Sequence, residues 1–170
     1  MKNRWTVIVF LITFILALLF SALSNLLGSL NNCFLIVATL LVIMVGILFD
    51  IVGTAVLSCD IKVFHSKASQ KIKGSKEAVI LAKNATKVSS ICNDVVGDIC
   101  GIVSGSLVTI LIANLFINKD LSLYNILITS VLSSLTVGGK AIGKTFAVKN
   151  SNDIIFSVGK LLSNFTKERN

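Results

Sequence analysis

The stretch CFLIVATLLVIMVGILFDIVGTAVLS, residues 33–58, decides the fold of this protein. It holds one charged residue, Asp50, and exceeds the roughly 20 apolar residues that an α-helix needs to cross a bilayer. Three other runs in the chain have the same apolar character. The sequence therefore predicts an all-α integral membrane bundle with four spans, at residues 5–27, 33–58, 89–117 and 121–148.

The composition excludes most other classes of protein. The 170 residues are 54% hydrophobic and 14% charged, with no proline and a mean hydropathy of +0.89. Soluble domains carry about a quarter charged residues, so neither a disordered chain nor a soluble enzyme is expected, and we predict no enzymatic activity. Cys33, Cys59, Cys92 and Cys100 have no metal-binding spacing, and we expect them to be packing residues.

Lysine and arginine are distributed unevenly along the chain, which has a net charge of +8. Seven lysines lie between Asp60 and Lys87, none at residues 28–32 and one at residues 118–120. Because positive residues collect on the cytoplasmic side, we predict a multi-pass protein of the cell membrane with both termini in the cytoplasm. The lysine-rich segment has a single aromatic residue, Phe64, so we expect the lipid bilayer as a partner and no nucleic acid.

Amphipathic segments flank the predicted spans. Residues 60–88 place apolar residues at helical spacing on both sides of Gly74-Ser75, which predicts two basic helices along the membrane surface. A solvated basic loop is the alternative. Residues 151–170 predict a further surface helix and tail. A cleaved secretory signal is the alternative for the first span, but its apolar run is long enough for an uncleaved helix.

Polar side chains inside the predicted spans indicate a site, because a charge at a span centre costs about 2.5–3.5 kcal/mol. They lie at similar depth, in the cytoplasmic third. These residues are Asp50 in the second span, Asn93, Asp94 and Asp98 in the third, and Lys140 and Lys144 in the fourth. The alternative is that Asp–Lys pairs only join the helices, with Lys144 reaching the membrane interface.

Two glycine patterns call for different interpretations. Gly97, Gly101 and Gly105 have the GxxxG spacing that allows helices to approach closely, within one chain or across a dimer. Residues 138–145, GGKAIGKT, match the GxxxxGK[ST] pattern of a phosphate-binding loop. That loop requires a strand before it and a helix after it inside a βα fold, which this sequence does not predict. We therefore expect no nucleotide.

Three short stretches resemble signatures of the transmembrane domain of the CNNM and CorB/CorC proteins, a family associated with magnesium and cobalt transport. Residues 49–58, FDIVGTAVLS, resemble FSASETALxS; residues 91–97, ICNDVVG, resemble IGNNLVN; and residues 139–150, GKAIGKTFAVKN, resemble GEIIPKTLAxKN. The resemblance implies an extra N-terminal helix at 1–30, the family's domain at 31–150 and a surface helix and tail at 151–170. The family's cytosolic CBS and CorC-type domains are not expected.

The resemblance also implies a function and a site. It implies a divalent cation, Mg²⁺ or Co²⁺, as the ion transported or bound, and a homodimer. Asn93 matches a ligand position of the family, whereas Lys140 stands where the family has a glutamate, and an ammonium opposes Mg²⁺ directly. In one interpretation Asn93, Asp94, Asp98 and Asp50 are the metal ligands and Lys140 is a charge modulator. In the other, Lys140 fills the ion site of a degenerate, non-transporting protein with a structural or regulatory role.

Overall fold

A computed structural model describes residues 2–27, 31–115 and 121–167 of the chain, and these residues form helices without any strand. The all-α fold class is therefore confirmed. The helices are α1 Lys2–Leu27, α2 Asn32–Ser58, α3 Ile61–Ser69, α4 Ser75–Lys83, α5 Ala85–Ser89, a π-helix Ser90–Gly97, α6 Asp98–Leu115, α7 Leu121–Lys149 and α8 Ser151–Lys167.

The helices include membrane-spanning candidates where the sequence predicts them. Four segments are long and apolar enough to cross a bilayer: Trp5–Ala22, Asn32–Ser58, Ala85–Leu115 and Asn125–Lys149. Residues 28–30 of the turn predicted at 28–32, the turn predicted at 118–120, the predicted span end at residue 117 and the last three residues lie outside the described residues. The protein is thus a helical membrane protein, in agreement with its apolar composition.

The third span is not a uniform α-helix. Residues 90–97 form a π-helix, in which each N–H bonds to the carbonyl five residues earlier instead of four. Such widened turns are often found at functional sites. This one carries Asn93 and Asp94, two of the predicted ligands.

The chain divides into two compact units. Unit 1 comprises Met1–Leu48 and Val95–Lys140, and unit 2 comprises Phe49–Asp94 and Ala141–Asn170. Helices α2 and α7 therefore contribute residues to both units. The division into three consecutive segments that the sequence suggests stays a prediction.

Unit 1 has an apolar core. Helix α1 packs against α6. The core is formed by Leu35 of α2 and by four residues at four-residue spacing, which places them on one face of the third span: Val95, Ile99, Val103 and Leu107. Val95 of the π-helix and three residues of α6 therefore form one apolar stripe in the core of this unit.

Unit 2 combines the ends of α2 and α7 with α3, α4, α5, α8 and the first part of the π-helix. Its core contains Ala55, Val56 and Ala147 from the long helices and Phe64, Ala78, Val79 and Ile155 from the short ones. Helix α4 packs against both α3 and α8. The two helices predicted within 60–88 and the one predicted after 151 are therefore confirmed as helices, whereas their position along a membrane surface stays a prediction.

The contact between α4 and α8 depends on two glycines. A Cβ added at Gly159 would lie 2.5 Å from the carbonyl oxygen of Gly74 and 2.9 Å from the backbone nitrogen of Ala78. Gly74 has a φ of 88°, and a Cβ there would lie 2.6 Å from the Cα of Lys160. Because only glycine combines a left-handed conformation with such close backbone contact, these positions fix how the two helices meet.

Hydrogen bonds join the end of α2 and the start of α3 to the first turn of α8, which directly follows α7. The Ser151 hydroxyl donates to the carbonyl of Ser58 (3.3 Å), and the backbone N–H of Asp60 donates to Oδ1 of Asn152 (2.9 Å). Asp60 also caps α3 by accepting a hydrogen bond from the N–H of Lys62 (2.9 Å). Helices α3 and α8 therefore begin side by side, where two predicted spans end.

Candidate functional site

The most deeply buried charged group among the described residues is Asp50 of α2. Asp50 is 4% exposed, and its Oδ2 lies 3.7 Å from Nζ of Lys144 on α7. This distance exceeds the 2.7–3.2 Å of a hydrogen bond. Within the described part of the chain, Asp50 Oδ2 has no hydrogen-bond partner. The carboxylate is thus held in a mainly electrostatic contact with one ammonium.

Asn93 supplies a second buried oxygen of this kind. Its Nδ2 donates to the Ser89 hydroxyl (3.3 Å), but its Oδ1 has no hydrogen-bond partner among the residues that the structure describes. The Oδ1 is aimed at Gly53, because a Cβ added to that glycine would lie only 2.0 Å from it. Because Gly53 has no side chain, the Asn93 amide has room to lie against α2.

Asn93 Oδ1 lies against Gly53, about one helical turn after Asp50 on α2. Gly53 follows Asp50 by three residues, and residues three apart are neighbours on one side of a helix. Buried polar atoms are normally hydrogen-bonded, and leaving one unpaired costs about 1–3 kcal/mol. A carboxylate oxygen and an amide oxygen without donors are the hard ligands that Mg²⁺ or Ca²⁺ prefers. Asp50 and Asn93 thus supply two buried oxygens of the type that such cations prefer.

The other predicted ligands are placed differently. Asp94 and Asp98 are both exposed, and they belong to units 2 and 1 respectively. Over residues 2–27, 31–115 and 121–167, no three His, Cys, Asp or Glu side chains are grouped so that they could hold a metal ion. The full set of Asn93, Asp94, Asp98 and Asp50 therefore stays a prediction, in which Asp50 and Asn93 have the structural features of buried ligands.

The lysine beside Asp50 is Lys144. The sequence suggests Lys140 as the charge modulator and Lys144 as a residue that reaches the membrane interface. Lys140 is half-buried and belongs to unit 1, whereas the Lys144 ammonium contacts the Asp50 carboxylate within unit 2. No pattern in the sequence distinguishes the two lysines, because they are four residues apart and share one face of α7.

The GxxxG glycines are in two kinds of environment. Gly97 is buried. At Gly101 and Gly105 an added Cβ would meet no described atom within 4 Å, and both glycines border a shallow groove of about 180 Å³ that Ser104 and Ser133 also line. Close packing of a second chain at Gly101 and Gly105 stays a prediction.

Residues 138–145 lie entirely inside α7. A phosphate-binding loop wraps its backbone N–H groups around the phosphate, whereas the N–H groups inside a helix are already bonded to carbonyls. The GGKAIGKT sequence therefore forms a helix and no phosphate-binding loop in this structure.

No protein-family model, curated protein or solved structure matches this chain. The resemblance to the CNNM and CorB/CorC proteins thus rests on the three quoted stretches. Geometry alone therefore supports a role for Asp50, Asn93 and Lys144.

Proposed function

We propose that the protein binds a divalent cation, Mg²⁺ or Co²⁺, and acts as a transporter or transport-related protein of the CorB/CorC type. The observation that supports this proposal is the pair of buried oxygens, Asp50 Oδ2 and Asn93 Oδ1, which lack hydrogen-bond donors among the described residues. A cation bound at Asp50 would compensate the buried carboxylate, and Asn93 Oδ1 is the second oxygen that we propose as its ligand.

Lys144 gives the site a means of release. Its ammonium and a bound cation carry the same sign of charge, so both compete for the Asp50 carboxylate. The Lys144 side chain is 53% exposed, and its flexible stem allows the ammonium to move toward solvent. Cation binding would then displace Lys144, and the return of Lys144 would favour cation release.

The topology belongs to the same proposal. We place both termini and the helices α3, α4 and α8 on the cytoplasmic side of the cell membrane, because seven lysines lie between Asp60 and Lys87. We also propose a homodimer, in which the open space at Gly101 and Gly105 receives a second chain.

A second function is favoured by the same ion pair. If the Lys144 ammonium permanently replaces a cation at Asp50, the protein transports nothing and serves as a structural or regulatory membrane subunit. The contact of 3.7 Å then joins α2 to α7 within unit 2.

Titration calorimetry of the detergent-purified full chain with Mg²⁺ and Co²⁺ tests the proposal. The natural sequence should bind, and Asp50→Asn and Asn93→Leu should each remove binding, because one loses the charge and the other loses the oxygen. Asp153→Asn is the matched control, since Asp153 is exposed on α8. Asp94→Asn and Asp98→Asn show whether the exposed carboxylates belong to the ligand set.

The same variants in proteoliposomes separate the two functions. A transporter should move Mg²⁺ into vesicles loaded with a magnesium-sensitive dye and should lose that flux in Asp50→Asn. Absence of binding by the natural sequence, together with binding by Lys144→Gln, would show that the lysine has replaced the ion. Absence of binding by both would reject the cation site.

A further inference from the structure

Unit 2 has a basic groove that the proposed cation site does not use. It has a volume of about 590 Å³ and lies between the end of α3, the turn into α4, and α8. Its lining includes Lys71, Lys73 and Lys76, all exposed, while Glu77 is the single acidic residue among the lining residues. Ser163 of α8 contributes to the opposite wall. The groove thus has an excess of positive charge.

The turn that carries these lysines has a defined conformation. Lys71 adopts a φ of 57° and Gly74 a φ of 88°. Ser75, which is 1% exposed, donates its hydroxyl hydrogen bond to the carbonyl of Ile72. The close approach of Gly74 to the backbone of Lys160 holds the turn against α8. The backbone that carries these lysines is therefore packed against α8.

The location of the groove indicates which anion it meets. Helices α3 and α8 begin where the spans α2 and α7 end, as the hydrogen bonds from Ser151 to Ser58 and from Asp60 to Asn152 show. The groove follows α3, whose nine residues extend about 13 Å. Ile72, which also lines the groove, is 38% exposed, so an exposed apolar side chain accompanies the basic ones. This combination suits the interface of a bilayer.

We propose that this groove binds the headgroup phosphate of an anionic phospholipid from the adjoining leaflet. The phosphodiester complements the ammonium groups of Lys71, Lys73 and Lys76, and the acyl chains remain in the membrane that α2 and α7 enter. A nucleotide fits less well, because no aromatic side chain lines the groove among the described residues. This site is independent of cation binding at Asp50.

Binding of fluorescent phosphatidylglycerol to the detergent-purified full chain tests the proposal, with phosphatidylcholine as the neutral probe. The variant Lys71→Gln/Lys73→Gln/Lys76→Gln should weaken phosphatidylglycerol binding by at least about tenfold, because each basic residue near an anionic lipid contributes about fivefold. The matched control is Lys62→Gln/Lys83→Gln/Lys149→Gln, which removes the same charge from exposed positions outside the groove. It should change binding by less than about threefold.

Three results would overturn the proposal. Equal losses in both triple variants would show attraction to the overall charge alone. Equal binding of phosphatidylcholine would show that the phospholipid charge is not recognised. Competition by inorganic phosphate as strong as that by phosphatidylglycerol would assign the groove to a free anion. Should the groove variant fail to fold, the single variants Lys71→Gln and Lys73→Gln decide, each with an expected loss of about fivefold.

Discussion

The two units differ in how they treat buried polar side chains. In unit 1 the buried hydroxyls of Thr39 and Ser104 donate to carbonyls of their own helices, Leu35 and Gly101. Such bonds satisfy the hydroxyl locally and need no other helix. In unit 2 the buried oxygens of Asp50 and Asn93 have no such partner among the described residues. Buried hydroxyls of unit 2, such as that of Ser75, also donate to a nearby carbonyl, so the difference between the units lies in Asp50 and Asn93.

The cavities of the units show the same contrast. A cavity of about 380 Å³ in unit 1 is lined by apolar side chains such as Leu16, Val42 and Ile99. The groove of about 590 Å³ in unit 2 is lined by Lys71, Lys73 and other polar residues. Changes in the apolar lining of the unit 1 cavity should therefore alter stability alone, whereas changes in the unit 2 groove should alter ligand binding.

Truncation of the largest core residue of unit 2 should have the largest effect. Phe64 is 0% exposed, and Phe64→Ala should lower the free energy of unfolding by about 3–5 kcal/mol because it removes the ring and leaves a cavity. Phe165→Ala is the matched control, since Phe165 is 73% exposed, and it should change stability by less than about 0.5 kcal/mol. Denaturant unfolding in detergent measures both. Equal losses would show that Phe64 does not anchor the unit.

Replacing a glycine by alanine should change stability in opposite directions in the two units. Gly159→Ala should destabilise unit 2 by about 1–3 kcal/mol, because its Cβ would lie 2.5 Å from the carbonyl oxygen of Gly74. Gly138→Ala in unit 1 should stabilise α7 by about 0.5–1 kcal/mol, because its Cβ meets no described atom within 4 Å and alanine favours the helix. Thermal unfolding midpoints give both signs. A loss at Gly138 as large as that at Gly159 would contradict the contrast.

The sequence suffices to predict the helices that rest on apolar length and spacing. The run at 33–58 predicts α2, and Gly74-Ser75 predicts the break between α3 and α4, because a left-handed residue interrupts a helix wherever it occurs. The π-helix at Ser90–Gly97 is not predicted. Its residues fit an α-helix equally well, and contacts such as that between Asn93 and Gly53 are long-range in sequence.

The site is predicted in part for a similar reason. Asp50 and Asn93 are identified because polar residues are rare in apolar spans. Which of the two lysines contacts Asp50 depends on the axial register between α2 and α7. Lys140 and Lys144 differ by about 6 Å along the helix axis. The hydrogen bond between Ser151 and Ser58, which ties the ends of the two helices, cannot be read from either segment alone.

Removing the lysine beside Asp50 should strengthen cation binding. Lys144→Gln eliminates the competing ammonium, and because the side chain is 53% exposed the gain should be about fivefold at most, corresponding to about 1 kcal/mol. Lys140→Gln is the matched control in unit 1 and should change the affinity by less than about twofold. Calorimetry with Mg²⁺ measures both. A larger gain in Lys140→Gln would return the modulator role to Lys140.

The smallest effect concerns the burial of a thiol at the edge of the unit 2 core. Cys59 follows the end of α2, where its thiol donates to the carbonyl of Val56 (3.3 Å) and burial raises the pKa of that thiol. A raised pKa means less reactive thiolate at pH 7. A chain with Cys59 as its single cysteine should therefore react several times more slowly with a maleimide than one whose single cysteine is introduced by Ser66→Cys, an exposed position on α3.

The pH dependence of this labelling tests the same burial. The rate at Cys59 should keep rising at pH values where the rate at the introduced cysteine has levelled off, because its thiolate forms later. Burial is the main cause of the raised pKa of Cys59, and the neighbouring Asp60 carboxylate adds to it. Equal rates and equal pH profiles would contradict the packing of Cys59 against the core of unit 2.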